Sequence, residues 1–598
     1  MEKNMDFYEF YTGKEFEAYK YLGAHVSDNG TTFRVFAPQA RRITVMGDFN
    51  NWQETELNKV YNGQFWECNI ENAKPGMIYK YRIYKCDGSV KDHCDPYGYG
   101  MELRPKWGSV IVDMDSYRFD DESWMKKRSD CKDKPLNIYE MHMGSFKRKE
   151  GEEWHSYEQV AKELIPYLKE YGYNYVEVMP ISEHPCDKSW GYQNTGFYAP
   201  TSRYGRAEQL KKFIDECHKN DIGVILDYVP VHFAVDDYAL ANFDGTHLYE
   251  YPNNSVGISE WGSCNFIHSR GEVRSFLQSA ANYWITEYHF DGLRMDAISR
   301  IIYWQGEEKR GVNGQAVDFL KEMNAYLKEK YPTIILAAED STSFEKVTTP
   351  VKEGGLGFDY KWDMGWMNDT LNYFAEAPEN RTENYHKLTF SMMYYPNEHY
   401  LLPLSHDEVV HGKKTIIDKM NGEYEDKFSQ ARAFYMYMYA HPGKKLNFMG
   451  NEIAQFREWD EKREQDWDIL KYPMHDAFHE YMKKLNNIYE NHSALSEFDY
   501  KEEGFSWIDC HQEERCIYAI ERRSGDERIA VFFNFSNKIQ ENYSVKMSGC
   551  KELKLMLNSE AQEFGGNDTR DIDVIKTGRG GRISLNLMPY SAVMYVIK

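Results

Sequence analysis

Four stretches decide the fold: ILDYVPVH (225–232), FDGLRMDA (290–297), ILAAED (335–340) and LLPLSHDE (401–408). Each opens as an apolar, β-rich run and finishes in carboxylate, imidazole or guanidinium. A single residue of this kind at a strand end is unremarkable, because Asp and Glu there commonly cap turns and a His commonly packs. The conjunction is what matters: Asp227, His232, Arg294, Asp296, Glu339, His406 and Asp407 all fall at ends of the same type. Buried strands whose C-terminal ends converge on ionisable groups describe a barrel with a reactive mouth.

Working outward, strands and amphipathic helices alternate from residue 136. LNIYEMHMGSF (136–146), YNYVEVMPI (173–181), IGVILDYVP (222–230), FDGLRMDA, TIILAAED (333–340), GLGFDYKWDM (355–364), HYLLPLSHDE (399–408) and KKLNFMGNE (444–452) supply eight strands. SYEQVAKELIPYLKEYG (156–172), AEQLKKFIDECHKN (207–220) and AVDFLKEMNAYLKEKYP (316–332) are helices between them. Strict alternation predicts a central (β/α)8 (TIM) barrel over 136–489 rather than an open sheet. The loop 233–269 is long enough to be a small subdomain.

Either side of the barrel the period changes to two. TTFRVFAP (31–38), RITVMGD (42–48), GQFWECNI (63–70) and IYKYRIY (78–84), broken by Asn-Gly, Pro-Gly and Asp-Gly turns, predict a β-sandwich over 21–115 after an N-terminal segment 1–20. RCIYAIERR (515–523), RIAVFFNFS (528–536) and AVMYVIK (592–598) predict a second sandwich over 490–598. The charged stretch SWMKKRSDCKDKP (123–135), within 116–135, reads as a linker. The expectation is therefore a multidomain chain, a barrel flanked by two β-sandwiches.

A net charge of −23 over 598 residues argues against nucleic acid, whose phosphates need concentrated Lys and Arg, and against an anionic membrane surface. A neutral substrate fits better. With 47 Tyr and 14 Trp, aromatics reach 16%, an excess suited to stacking on sugar faces as well as to core packing. No run of about 18 apolar residues is present, and no signal peptide is read at the N-terminus. Ten Cys without metal-like spacing suggest free thiols in a cytoplasmic protein. A monomer is expected.

The strand ends also specify a reaction type. Arg294 and Asp296 stand at i and i+2, so both face one side of the pleat. The guanidinium is expected to keep Asp296 anionic and fit to act as a nucleophile. Glu339 ends the next strand, close enough for the carboxyl separation of about 5–5.5 Å that retaining glycosidases use. Paired carboxylates push their pKa values apart, which leaves Glu339 as general acid. Asp407 would stabilise an oxocarbenium-like transition state, while His232 and His406 suit sugar hydroxyls.

At these residues the chain resembles the α-amylase family of retaining glycosidases and transglycosidases, and within it the glycogen-branching members. The finer likeness rests on MPISEHPCDKSWGYQNTGFYAPTSRYG (179–205), GGLGFDYKWDMGWMNDTL (354–371), LPLSHDEVVHGKK (402–414) and KKLNFMGNEIAQFREWD (444–460). KYLGAHVSDNGTTFRVFAPQARRITVMGDFNNW (20–52) is similar to the carbohydrate-binding module that precedes such barrels. The resemblance implies Asp296 as nucleophile, Glu339 as acid/base and Asp407 as stabiliser. It places Tyr192, Asp227, His232, Arg294 and His406 around the donor sugar, with Tyr192 stacked beneath it. It also implies an α-glucan substrate, α-1,6 branches as product, no cofactor and a role in glycogen biosynthesis. Many amylases carry a calcium-ligating Asn one residue before the first-motif His. Val231 stands there, so no structural calcium is expected at that position. Trp52 and Trp66 are candidates for a glucan-stacking surface of the N-terminal module, or for its core.

Overall fold

The computed structural model describes residues 5–148, 151, 153–570 and 572–598. The first four residues of the N-terminal segment lie outside that set. Eight parallel strands close into a barrel: β1 (Asn137–Met141), β2 (Tyr175–Val178), β3 (Gly223–Tyr228), β4 (Gly292–Met295), β5 (Ile335–Ala338), β6 (Tyr360–Trp362), β7 (Tyr400–Leu404) and β8 (Lys444–Phe448). β8 pairs back onto β1, which completes the ring. Every residue of these strands is buried, as expected when side chains fill the inside and helices cover the outside.

The helices form for local reasons that the sequence states. Tyr157–Tyr171 starts at Ser156, whose hydroxyl accepts the Gln159 N–H while the Gln159 side chain accepts the Ser156 N–H. It buries Val160, Leu164 and Leu168 along one stripe and stops at Gly172, in the left-handed region at φ 72°.

The N-terminal module is a sandwich. One sheet runs in the order Gly23–Ser27, Gly30–Phe36, Phe65–Ile70, Asn58–Val60; the other is built on Arg42–Gly47 and Ile78–Tyr84. Phe33, Val35, Phe65, Trp66, Tyr79 and Tyr81 fill the space between. Ahead of it, the short helix Phe7–Thr12 lies against the barrel helix Gly271–Tyr288. The two come so close that a β-carbon on Gly271 would stand 1.8 Å from the Tyr11 carbonyl oxygen, so only glycine fits there. Ser275 Oγ donates to the Phe10 carbonyl at 2.9 Å and Asn282 Nδ2 to that of Phe16 at 2.9 Å, fastening the segment along the helix.

The stretch 116–135 connects the two domains but is not a loose tether. It holds a helix, Glu122–Lys127, whose Trp124 is buried. The indole N–H of Trp124 donates to Asp291 at 2.8 Å, and Arg128 reaches the same carboxylate at 3.3 Å. His218 bridges Asp291 (2.9 Å) and Asp121 (2.8 Å). Trp124 and Cys131 pack with Ile138, Tyr175, Ile225 and Ile335, so this segment plugs the barrel end opposite the strand C-termini.

The loop after β3 contains a two-strand ladder, His232–Phe233 with Cys264–Asn265, and a one-turn helix, Asn254–Gly257. It also touches the N-terminal sandwich, where the Gln39 N–H donates to Asp244 at 2.9 Å. At the far end a six-stranded sheet, with a separate two-stranded ribbon, forms the C-terminal sandwich. Asp499 fixes it to the barrel by accepting from Arg522 (2.7 Å) and forming an ion pair with Lys444 (3.0 Å), all three buried. Among the described residues, no helix is long and apolar enough to cross a membrane.

Candidate active site

At the C-terminal mouth, register does the positioning. Asp227 on β3 pairs with Arg294 on β4, and Arg294 with Ala337 on β5. Asp296 and Glu339 each follow the last residue of their strand. Arg294 is fully buried, and its guanidinium lies 4.4 Å from the Trp362 ring centroid. One nitrogen, Nη1, reaches Asp227 Oδ2 at 2.5 Å and Asp296 Oδ1 at 3.1 Å; the other, Nη2, reaches Glu339 Oε2 at 2.7 Å. A single cation therefore holds three carboxylates from three successive strands. Burial of such a group is tolerable only with partners of this kind.

The turn after Asp296 is strained to serve the same cluster. Ala297 takes φ 45°, in the left-handed region that a non-glycine residue enters at a cost of about 1 kcal/mol or more. That conformation aims its N–H at Glu339 Oε2, 2.9 Å away.

Tyr192, from the loop after β2, completes the floor. Its hydroxyl donates to Asp227 Oδ2 at 2.6 Å and lies 3.3 Å from both Arg294 Nη1 and His406 Nε2. His406 is anchored from behind by Glu140 of β1, which accepts its Nδ1–H at 2.6 Å and its backbone N–H at 3.0 Å. Its other nitrogen is 3.5 Å from Asp407 Oδ1. His232 is buried, with its ring stacked on Trp261 at 5.3 Å. The resulting cleft, about 350 Å³, is lined by Tyr192, His232, Asp296, Glu339, His406 and Asp407, together with Trp190, Trp261 and His411. Asp227 and Arg294 lie beneath it. All eight residues singled out in the sequence thus gather at one place.

The electrostatics differ from the sequence expectation at one point. Arg294 does not keep Asp296 at an ordinary aspartate pKa. Burial pushes Asp296 well up, and Glu339, Asp227 and Asp407 add to that; Arg294 opposes them but is shared three ways. Asp407 goes the other way: burial would raise it, yet His406, Arg294, Lys413 and His411 together hold it below the usual range. His406 is pulled down by burial but lifted more by Asp407 and Glu140, to about 9. His232, with only burial acting on it, falls to about 4.

Several participants escaped the sequence reading. Glu140 was hidden inside an apolar strand. Glu177 of β2 pairs with Glu140, and both its carboxylate oxygens are buried without a protein partner. Burial, and then the Glu140 charge, push its pKa well up. Trp190, Trp261 and His411 sit in loops, where only the fold reveals which face the cleft. Val231 has its side chain buried and its carbonyl engaged by the Phe266 N–H at 3.2 Å.

Three family descriptions match the chain: carbohydrate-binding module 48 (isoamylase N-terminal domain) over 21–98, the α-amylase catalytic domain over 140–245, and the α-amylase C-terminal all-β domain over 507–598. The 1,4-alpha-glucan branching enzyme GlgB of Bacillus cereus (strain B4264) is 43% identical over 580 residues, covering 95% of this chain and 90% of that protein. The enzyme of the same name from Geobacillus stearothermophilus is 43% identical over 574 residues, with 94% and 90% covered. The chain belongs to the 1,4-alpha-glucan branching enzymes of the α-amylase family. Solved structures extend the likeness in fold alone. A pullulanase from Anoxybacillus superposes with a TM-score of 0.75 at 18% identity, over 97% of this chain and 87% of that one. A putative α-amylase from Salmonella typhimurium gives 0.73 at 18% identity, over 97% and 100%. Membership of the branching enzymes therefore rests on the sequence relatives, and the shared barrel frame on the structures.

Proposed function

We propose that this cleft cuts an α-1,4-glucan and joins the cut fragment to a glucan 6-hydroxyl, creating the α-1,6 branches of glycogen. Asp296 attacks the anomeric carbon while Glu339 gives its proton to the departing glycosidic oxygen. The C–O bond to the leaving chain breaks as the bond to Asp296 forms. Glu339, now a base, then takes the proton of an incoming 6-hydroxyl, whose oxygen displaces Asp296 with net retention. Asp407, held anionic beside His406, faces the positive charge that develops on the sugar in both transition states.

The observation that carries this reading is the triple contact of Arg294. It sets nucleophile and acid side by side on one rigid guanidinium. Attack requires Asp296 ionised and the proton available on Glu339. Tyr192, His406 and His232 offer the remaining polar contacts to a glucosyl unit, and Asp227 Oδ1 and His232 Nδ1 are buried polar atoms without a protein partner. The three roles and the five contacts are supported by this geometry and by the family.

The deciding experiment follows iodine colour, reducing ends and α-1,6 linkages together on amylose. Branching predicts loss of iodine colour with few new reducing ends and with new linkages that a debranching enzyme releases. Reducing ends rising in step with colour loss would make the protein a hydrolase. Unaltered glucan from the wild type, and from Asp296→Asn alike, would make it a binding protein.

A further inference from the structure

Arg294 has one donor that the cluster at the cleft does not use. Its Nη1 and Nη2 serve Asp227, Asp296, Glu339 and Tyr192, but Nε, equally buried, has no protein partner. Two strands away, Glu177 of β2 is in the same position. It is fully buried, and neither of its carboxylate oxygens has a protein partner. Buried polar groups are nearly always hydrogen-bonded, so two such orphans beneath one cleft need a reason.

Register places them together. Glu177 pairs with Glu140 on β1 and with Ile225 on β3. Ile225 lies two residues before Asp227, which pairs with Arg294, so these side chains face the barrel interior with Glu177 one step below Asp227. The charges around Glu177 come from four elements: Glu140 of β1, Asp227 of β3, Arg294 of β4 and His406 after β7. Glu140 is already committed, accepting from the ring and the backbone of His406 at 2.6 Å and 3.0 Å. Two adjacent buried carboxyls do not both ionise cheaply. Glu140 has the donors and keeps the charge. Glu177 has none and keeps a proton, in line with its raised pKa, which burial and then Glu140 cause.

We propose that Glu177 is a positioning residue whose un-ionised carboxyl serves Arg294 Nε through a trapped water, and so keeps the guanidinium committed to Asp227, Asp296 and Glu339. A neutral carboxyl both gives and takes a hydrogen bond. A buried water is held by about two to four polar partners, and these atoms supply them. Neutrality decides what Glu177 does. Ionised, it would be a fourth carboxylate on a cation already divided among three, drawing that cation down from the nucleophile and the acid. As a neutral acceptor it fixes the plane of the guanidinium without claiming its charge. This role rests on those given above to Asp296 and Glu339.

Glu177→Leu and Glu177→Gln are compared with wild type on a short maltooligosaccharide, counting all bonds cleaved so that hydrolysis and transfer score alike. Leu removes the acceptor, so kcat is expected to fall about tenfold or more while KM moves less than about threefold. Gln keeps an uncharged oxygen in place and should restore most of that loss, with the acid limb of kcat/KM where wild type has it. The infrared difference between wild type and Glu177→Gln at neutral pH reads the proton directly, and should show the band of a neutral buried carboxyl. Carboxylate bands there, or an acid limb displaced to lower pH in Glu177→Gln, would mean an ionised Glu177 and overturn the proposal. So would a Leu variant that turns over like wild type, or a Gln variant as impaired as Leu. The spectrum and the Gln profile decide the matter even if the Leu variant does not fold. A wild type that hydrolyses instead of branching would overturn the earlier reading and leave this one standing.

Discussion

Arg294 is the residue on which most depends. Its two terminal nitrogens bind Asp227, Asp296 and Glu339 at once, and no spacing rule within FDGLRMDA shows that. The sequence reading paired Arg294 with Asp296 alone and so kept Asp296 anionic; burial above all, with the carboxylates from β3, β5 and the loop after β7 adding to it, reverses the direction. An ionised Asp296 is needed for attack, so activity is lost as pH falls through its pKa. The acid limb of kcat/KM on a short maltooligosaccharide is expected well above 3.8, the ordinary aspartate value. A profile that stays flat down to that pH would contradict the raised Asp296 value. Legibility at this scale was otherwise high. The acidic, basic and imidazole groups are bunched at strand ends, and their conjunction needs only a barrel to bring them together. Glu140 and Glu177 were not legible, because a single Glu inside a strand carries no sign of which face it occupies.

At the scale of elements, the eight strands could be read because parallel barrel strands are continuous apolar runs with turn signals around them. The plug at the barrel floor could not. SWMKKRSDCKDKP is charged enough to read as solvated, and its one Trp finds its partner, Asp291, 167 residues away. That floor makes a stability prediction with a definite sign. Burial would lower the pKa of His218, but Asp291 and Asp121 lift it from 6.5 to about 9. A raised folded-state pKa stabilises fully below 6.5 and ceases to do so as pH rises through 9, by about 3 kcal/mol at most. The thermal-unfolding gap between wild type and His218→Gln is therefore expected to be large at pH 6 and to shrink by pH 9.5. A gap constant across that range would show that His218 acts by packing alone.

Across the whole molecule, the barrel is flanked by sandwiches that are anchored rather than tethered: through Gln39 on Asp244 at one end and Asp499 at the other. Whether the N-terminal module presents aromatics to glucan was not decidable from sequence, since a Trp in a small β-module serves core and surface alike. The fold separates them. Trp66 is 4% exposed and its indole N–H donates to the Ala37 carbonyl at 3.0 Å, so it belongs to the core. Trp52 is 41% exposed. Trp66→Ala is expected to destabilise the module by about 3–5 kcal/mol. Trp52→Ala should leave folding and turnover of short glucans intact while weakening co-sedimentation with glycogen. Full glycogen affinity in Trp52→Ala would exclude that surface.

The central claim is that one glycosyl-enzyme forms on Asp296, under the control of Glu339. An activated α-glucosyl fluoride needs little help from an acid to react, whereas the Glu339→Gln variant lacks the base that would release the adduct. Incubating the two and mapping the modified peptide by mass spectrometry reads the nucleophile directly. The account predicts a covalent glucosyl adduct on Asp296 that persists in this variant when a glucan acceptor is added. An adduct on another carboxylate, or none in a variant that still consumes the fluoride, would contradict it.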